Sequence, residues 1–193
     1  MENSNTNCRV AVGLVHWPVL DRAGTHVCTN ITNFDIHDIA RACRSFGVES
    51  YYLINKIPEQ LMFASRVMDH WKTGYGYRYN PMRSTALGMV KTIQTLEEAI
   101  ADFDPDACVV ATAARSLENI QNVSFKSLRE KMENSDKKSY FIVFGTGFGL
   151  APEALALCDL LLEPIRGKSK DDYRHLSVRS AVSICLDRLM GLW

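Results

Sequence analysis

The sequence of 193 residues lacks the features that mark secreted, membrane-spanning and metal-binding proteins. Its six cysteines include no CxxC pair and mostly fall in apolar segments, which is typical of reduced core cysteines. No apolar run approaches the ~20 residues of a membrane-spanning helix, and the first run, residues 10–17, has no signal-peptide cleavage site. The five histidines lack the i,i+4 spacing of metal ligands. We therefore expect a cytoplasmic protein with no metal and no membrane partner.

The sequence also has no net charge at pH 7. The 22 basic and 22 acidic residues cancel at pH 7, so a nucleic acid would have to meet a local patch. Such a patch is predicted between residues 66 and 91, where five cations stand against the single acid Asp69. The cations are Arg66, Lys72, Arg78, Arg83 and Lys91. A run of this kind is often only a solvated surface, and that alternative stays open.

Short β-rich runs alternate with amphipathic helical segments along the chain. Six runs predict strands, at residues 9–16, 50–54, 89–93, 107–111, 139–144 and 159–163. Between them, Asn33 is expected to cap a helix reaching residue 46, and Thr95 with Glu98 predicts a capping box. Parallel strands need crossovers, so the pattern predicts an α/β fold with a mostly parallel six-stranded sheet and helices on both faces. With no repeat or linker, residues 1–193 are expected to form one domain.

Polar or glycine-rich turns follow four of the predicted strands, at residues 17–33, 112–122, 145–151 and 165–176. In open α/β sheets, ligands bind beyond the carboxyl ends of the strands. Since three of the four turns lie in the later part of the chain, we expect the pocket there.

The turn at residues 145–150, GTGFGL, directly follows the apolar run 140–144. Three glycines in five residues allow backbone to approach a ligand closely. A dinucleotide-binding oxidoreductase is one hypothesis, since Glu163 ends the next strand about twenty residues later. The GxGxG spacing differs from GxGxxG, and only 48 residues follow Gly145, so the pattern disfavours it.

Taken together, three C-terminal segments resemble the SPOUT superfamily of RNA methyltransferases. Residues 144–150 are similar to its second motif, residues 162–165 to the strand and turn that follow, and residues 175–181 to its third motif. Residues 33–47 look like the first motif of the SpoU branch, in which an arginine, here Arg41, precedes a Phe-Gly pair by five residues. Together with the segment 78–81, they resemble most closely a small bacterial group of stand-alone SPOUT proteins.

The resemblance implies an RNA methyltransferase with S-adenosylmethionine as cofactor, acting on tRNA or rRNA. It also implies a homodimer whose active site is completed by the neighbouring subunit, and a C-terminal trefoil knot. Fifteen residues of the matching segments and of the turn after residue 111 are expected to bind the cofactor. They are Thr112, Ala113, Phe144, Gly145, Thr146, Gly147, Gly149, Leu162, Glu163, Pro164, Ile165, His175, Leu176, Ser177 and Ala181.

Four residues are candidates for activating the methyl acceptor, namely Asp35, His37, Arg41 and Arg179. A carboxylate or an imidazole can accept the acceptor's proton, and an arginine can hold a phosphate or stabilise developing negative charge. Simpler roles compete in each case, because acids favour the first turn of any helix, a lone histidine often only packs, and an arginine can pair with a nearby acid.

The chain also departs from the SpoU pattern. Gly147 stands where a glutamate is usual, and Ser177 and Arg179 stand where the third motif has asparagine and serine. These departures leave both a ribose 2′-hydroxyl and a base nitrogen open as the acceptor. They also motivate a second hypothesis, a non-catalytic module that binds RNA or protein and retains the cofactor pocket.

Residues 71–83 interleave aromatic side chains and cations on a glycine-containing segment. Single-stranded RNA is bound in this manner, by stacking of bases and pairing of phosphates. We expect Arg78, Tyr79 and Arg83 to bind RNA, together with Asn33 of the first motif. The alternative is a loop whose tyrosines pack on the sheet or at a dimer interface.

Overall fold

The computed structural model describes residues 8–134 and 139–192. Within them, seven parallel strands form one sheet in the order β5-β4-β1-β8-β6-β9-β7, and two short strands, β2 and β3, form an antiparallel hairpin. The strands are β1 (Arg9–Val15), β2 (Val19–Leu20), β3 (His26–Val27), β4 (Ser50–Ile54), β5 (Val90–Ile93), β6 (Cys108–Thr112), β7 (Gln121–Val123), β8 (Ser139–Gly145) and β9 (Leu160–Leu162).

Helices connect the strands and cover both faces of the sheet, as predicted. A π-helical turn, Asp35–Ile39, leads into the first helix. The helices are α1 (Ala40–Ser45), α2 (Pro58–Lys72), α3 (Tyr75–Tyr79), α4 (Pro81–Gly88), α5 (Leu96–Phe103), α6 (Phe125–Asn134), α7 (Pro152–Leu155) and α8 (Val178–Met190). One face packs against α1, α2, α4, α6 and α8, and the other against α5 and α7.

The central strands are continuous apolar runs because both of their faces are covered. In β1, Val12 and Leu14 pack into one core, and Ala11 and Val15 into the core on the opposite face. This alternation is the period of two expected for a strand. It explains why the six longer runs were recognisable in the sequence as strands.

The prediction of six strands is wrong by one. The additional strand, β7, lies in the predicted turn 112–122 and pairs in parallel with β9. It has only three residues, and only Val123 among them is buried. An edge strand this short and polar carries no hydrophobic alternation, so the sequence pattern could not reveal it.

The cap predicted at Asn33 is formed instead by Thr32. The Thr32 hydroxyl donates to an Asp35 carboxylate oxygen at 2.6 Å and accepts from the Asp35 backbone N–H at 3.2 Å, while Thr32 N–H donates to the same carboxylate oxygen. This reciprocal pair satisfies two of the free N–H groups at the start of a helix. Asn33 is exposed one residue further along.

Three other helices begin with a side-chain cap. Thr95 and Glu98 form the expected capping box on α5. The Asn80 side chain accepts from Arg83 N–H ahead of Pro81, and the Ser177 hydroxyl accepts from Ser180 N–H at the start of α8. In each cap the two residues are three positions apart, which is the spacing of a helix N-cap.

Candidate cofactor site

A cavity of about 880 Å³ lies at the carboxyl ends of β6, β8 and β9. Its walls come from three turns that follow these strands and from the first part of α8. Neighbouring parallel strands end at one edge of a sheet, which is why turns far apart in sequence meet here. The size is that of a site for a cofactor or a drug-sized molecule.

The glycine-rich turn after β8 forms one wall, and the β2–β3 hairpin holds it in place. Phe148 N–H donates to Leu20 C=O at 2.9 Å, and Leu20 N–H donates to Gly149 C=O at 2.9 Å. Ala151 N–H donates to Pro18 C=O at 3.2 Å. The hairpin lies in a segment that the sequence indicated only as a loop, so this support was missed.

Gly147 is required by the hairpin. Its φ is +59°, and a Cβ built there would lie 2.8 Å from Leu20 O. A Cβ at Gly145 would lie 2.9 Å from the backbone N of Leu150. The glutamate usual in the SpoU pattern therefore has no room at Gly147, because backbone of the same chain occupies its place. This accounts physically for the departure seen in the sequence.

A chain of polar groups that ends at a buried histidine anchors the neighbouring residue of the turn. Thr146 Oγ1 lies 2.6 Å from Thr29 Oγ1 and 3.1 Å from Val15 O, and Thr29 Oγ1 lies 2.8 Å from His16 Nδ1. His16 is buried, and burial lowers its pKa to about 4. The imidazole is therefore neutral at pH 7 and serves as a hydrogen-bonding partner for Thr29.

The opposite wall is fixed by polar contacts to the backbone. Glu163 Oε1 accepts from Phe125 N–H at 2.7 Å, and Glu163 N–H donates to Val123 C=O at 2.9 Å. The Thr112 hydroxyl donates to Val143 C=O at 2.9 Å. These contacts tie the end of β9 to the start of α6, and the end of β6 to β8, so the wall is held before any ligand binds.

Most of the residues expected to bind the cofactor line this cavity. Pro164 and Ser177 do not, since Pro164 is buried beside it and Ser177 caps α8. The residues that do are Thr112, Ala113, Phe144, Gly145, Thr146, Gly147, Gly149, Leu162, Glu163, Ile165, His175, Leu176 and Ala181. The geometry brings them together, and their binding of the cofactor stays a prediction.

Charged side chains at the cavity were missed by the sequence interpretation. Arg174 pairs with Asp172, which lowers the pKa of that carboxyl, and Arg115 follows the end of β6. Asp172 has a positive φ of 52°, which is unusual for a residue other than glycine. Within the turn 165–176, nothing in the residue pattern distinguished Asp172 and Arg174 from the other charged residues.

The four candidates for acceptor activation do not meet in the cavity. Asp35 is buried and bonded to Thr32. Arg179 follows a cavity residue of α8, lies 3.7 Å from an Asp38 carboxylate oxygen and covers the ring of Phe34 at 5.1 Å. The first and third motifs therefore contact each other directly at the start of α8.

The other two candidates lie toward α2 and α4. His37 packs edge-on against Trp71, with ring centroids 5.5 Å apart, and burial, followed by the nearby charge of Arg83, lowers its pKa. Arg41 is exposed and lines a separate small cavity between α1 and α4. Neither residue lines the large cavity.

The segment expected to bind RNA is folded as a short helix, α3, followed by α4. Arg78 and Tyr79 lie on α3, and Arg83 on α4 contacts the face of Trp71 at 4.5 Å from the ring centroid. The tyrosines of α3 are exposed. In this subunit, the alternative in which they pack on the sheet is wrong.

Residues 8–134 and 139–192 contain no group of three or more His, Cys, Asp or Glu side chains placed to hold a metal ion. None of the helices described there has the length and apolarity needed to cross a membrane.

Comparison with known proteins identifies the family. Residues 9–191 match a family described as SAM-dependent RNA methyltransferases, where SAM is S-adenosylmethionine. A tRNA (guanine-N(1)-)-methyltransferase of Oleidesulfovibrio alaskensis is 40% identical over 92% of this chain, which spans only 41% of that protein. An uncharacterized protein of Aquifex aeolicus is 36% identical over 96% of this chain and 90% of its own length.

A solved structure shares the fold. TrmJ from Z. mobilis superimposes with a TM-score of 0.61 at 15% identity, over 96% of this chain and 69% of that one. The family match excludes the oxidoreductase hypothesis and gives no support to a non-catalytic module. The RNA methyltransferase family predicted from the three C-terminal segments and the first motif is thus confirmed, and the chain belongs to the family of S-adenosylmethionine-dependent RNA methyltransferases.

Proposed function

We propose that this chain transfers a methyl group from S-adenosylmethionine to a nucleoside of tRNA. The observation that supports it most is the large cavity, in which the second and third motifs form facing walls. The tRNA substrate is proposed from the curated relatives at 37% and 40% identity, both named tRNA (guanine-N(1)-)-methyltransferases. Because the chain spans about two-fifths of their length, their guanine N1 acceptor is not carried over.

The lining of the cavity suits this cofactor. Leu162, Ile165 and Leu176 give apolar walls, and the glycine-rich turn presents backbone amides and carbonyls without side chains in front of them. Backbone groups fixed in this way can hydrogen-bond a purine, and apolar walls exclude water. When bound, S-adenosylmethionine supplies an activated methyl group whose leaving sulfur departs neutral, so the protein's task is to position the acceptor.

Acceptor activation is assigned to the motif residues. Arg179 stands at the first turn of α8, next to the cavity, and Asp38 orients its guanidinium. It is proposed to stabilise negative charge on the acceptor or its phosphate. Asp35 and His37 are proposed as secondary candidates for proton acceptance, although Thr32 already engages the Asp35 carboxylate in this structure.

Arg41 is proposed to act in the neighbouring subunit of a homodimer. It lines the small cavity and not the large one of its own chain, which supports a role in a partner's site. Mixing an Arg41→Ala variant with an Arg179→Ala variant tests this arrangement. If the sites are shared, mixed dimers contain one intact site, and roughly a quarter of wild-type activity returns. No recovery, or a monomer by sedimentation velocity, would contradict it.

The C-terminal part is proposed to be a trefoil knot. Strand β9 lies between β6 and β7, which are consecutive in the chain and joined by residues 113–120. This position allows the chain to pass through the 113–120 connection, as a knot requires and as ordinary folds do not. A crystal structure in which the chain after β9 passes outside the 113–120 connection would contradict the proposal.

The activity is tested by incubating the purified chain with methyl-labelled S-adenosylmethionine and unmodified tRNA. Nuclease digestion and mass spectrometry of the nucleosides then identify the acceptor atom. We expect label in one tRNA nucleoside and none in a matched rRNA fragment. Label that appears only in rRNA would identify rRNA, and not tRNA, as the substrate. Label in no RNA would overturn the proposal.

A further inference from the structure

A second, smaller cavity of about 230 Å³ lies between α1 and α4, apart from the large one. Arginines dominate its lining, and no carboxylate belongs to it. The lining residues are Arg41, Arg44, Ser45, Asn80, Met82, Arg83 and Ala86. Only Arg41 among them was proposed above to take part in the reaction.

The three arginines converge without a counter-charge. Among the described residues, none of Arg41, Arg44 and Arg83 has a carboxylate oxygen within 4.0 Å, although seven ion pairs form elsewhere. Holding like charges together costs free energy unless an anion is bound between them. A phosphate accepts several guanidinium hydrogen bonds at once and is the anion that arginine recognises best.

Arg83 is positioned to contact a phosphate in this cavity. Its guanidinium lies over Trp71, and its Nε is buried with no hydrogen-bond partner. A buried donor without a partner is destabilising, and a bound phosphate would satisfy it. Trp71 is in turn fixed by His37, so the arginine is oriented by a packed aromatic ring.

Exposed aromatic rings stand immediately beside this cavity. Tyr75 and Tyr79 are each 74% exposed, and their rings are stacked with centroids 6.2 Å apart and planes at 22°. Tyr79 directly precedes Asn80 of the cavity lining, and Arg78 lies between Tyr75 and Tyr79 in sequence. Exposed tyrosine faces beside cations bind unpaired bases by stacking.

We propose that this arginine–tyrosine surface, formed by Arg44, Arg83, Tyr75, Arg78 and Tyr79, binds a single-stranded segment of the RNA substrate. A phosphate occupies the cavity between α1 and α4, and adjacent bases stack on the tyrosines. The surface extends the proposed function and rests on it for the identity of the RNA.

Two features favour unpaired RNA over the other possible occupants. In a duplex the base faces are already stacked, so the tyrosines would gain nothing from it. An interface whose two-fold axis passes through this surface is disfavoured by charge, and the homodimer proposed above requires only Arg41 to reach the partner's site. A two-fold interface centred here would bring the same arginines of both copies against each other.

The test measures binding of a fluorescein-labelled oligoadenylate of about 12 nucleotides by anisotropy. Arg44→Gln/Arg83→Gln is expected to weaken binding at least tenfold and to lower the salt slope by about 1.4, which is two phosphate contacts at ~0.7 each. Tyr75→Leu/Tyr79→Leu is expected to weaken binding about tenfold with the salt slope unchanged. The matched control, Lys126→Gln/Lys131→Gln, removes two exposed charges from α6 and should change the affinity less than twofold.

Other measurements separate this surface from folding and from the proposed function. Arg44→Gln alone, at an exposed position, and Arg83→Lys, which keeps the charge, guard against loss of fold, and all variants should keep their affinity for S-adenosylmethionine. Equal effects of the surface variants and the control would overturn the proposal, as would a changed sedimentation coefficient with unchanged RNA affinity. Intact oligonucleotide binding without methyl transfer to tRNA would contradict the proposed function and leave this surface standing.

Discussion

The two cavities of this molecule are built on opposite principles. At the large cavity, backbone of the glycine-rich turn is bonded to the β2–β3 hairpin, and Thr146 and Glu163 each have partners in the protein. At the small cavity, arginines converge without a carboxylate partner, and exposed tyrosines directly precede its lining in the chain. The first arrangement suits one small molecule of fixed shape, and the second suits a flexible polyanion whose own charges complete the site.

The largest expected effect tests whether the large cavity depends on the hairpin. Gly147→Ala places a Cβ against Leu20 O at a positive φ, and we expect it to lower the free energy of unfolding by about 3 kcal/mol and to abolish cofactor binding. Gly24→Ala is the matched control. Its φ is +81° with nothing within 4 Å of the new Cβ, so about 1 kcal/mol is expected. Urea unfolding measures both, and equal losses would contradict the role of the contact.

The next prediction concerns how the free energy of unfolding depends on pH through His16, which lies beside the glycine-rich turn. His16 has a pKa of about 4 in the folded chain and about 6.5 when unfolded, so the unfolded state binds more protons between these values. Stability is therefore complete above pH 6.5 and falls as the pH drops toward 4. Between pH 7.5 and pH 5 we expect a loss of about 2 kcal/mol from this group.

The variant His16→Asn provides the check, because the amide can still bond Thr29 but does not titrate. It should lose about 2 kcal/mol less than wild type over the same pH range. His70→Gln, at an exposed histidine, should lose as much as wild type. An unchanged pH dependence in His16→Asn would show that His16 is not buried in its neutral form.

A smaller effect separates the polar chain from the hairpin's backbone bonds. Thr29→Val keeps the shape of the side chain but removes the hydroxyl between His16 and Thr146. We expect a loss of about 1 to 2 kcal/mol in unfolding free energy and weaker cofactor binding. Thr25→Val, at an exposed position in the same segment, should be neutral. Similar losses of unfolding free energy in Thr29→Val and Thr25→Val would show that the Thr29 hydroxyl does not stabilise the turn.

The smallest effect contrasts the two cavities in salt. Raising sodium chloride from about 50 to about 200 mM should weaken oligonucleotide binding at least fivefold. Cofactor affinity should change less than twofold, because the large cavity is bounded mainly by backbone and apolar side chains. Titrations of both ligands at the two concentrations measure the difference. A cofactor affinity as salt-dependent as RNA binding would contradict the proposed difference between the two cavities.

Much of the large cavity could be predicted from the sequence because local chemistry determines it. Glycines after a buried strand, a strand ending at Leu162 and a serine cap before α8 are visible as short patterns. The hairpin was not predictable, since β2 and β3 have two residues each and the glycine-rich turn that the hairpin contacts lies about 130 residues away. The same holds for β7, which forms only because β9 lies beside it.

The small cavity shows the other limit of sequence patterns. The cations and aromatic residues of segment 71–83 were recognisable as a group, but Arg41 and Arg44 of the same cavity come from α1. Their convergence depends on how α1 and α4 pack. The position of Arg179 beside the large cavity and of Arg41 at the small one was equally unpredictable from motif order.

The central claim is that the large cavity binds S-adenosylmethionine, and isothermal titration calorimetry tests it most directly. We predict one cofactor bound per chain by the wild-type protein and by Lys126→Gln/Lys131→Gln, and an affinity at least tenfold lower for Thr29→Val/Gly147→Ala. Absence of cofactor binding by the folded wild-type protein would contradict the account.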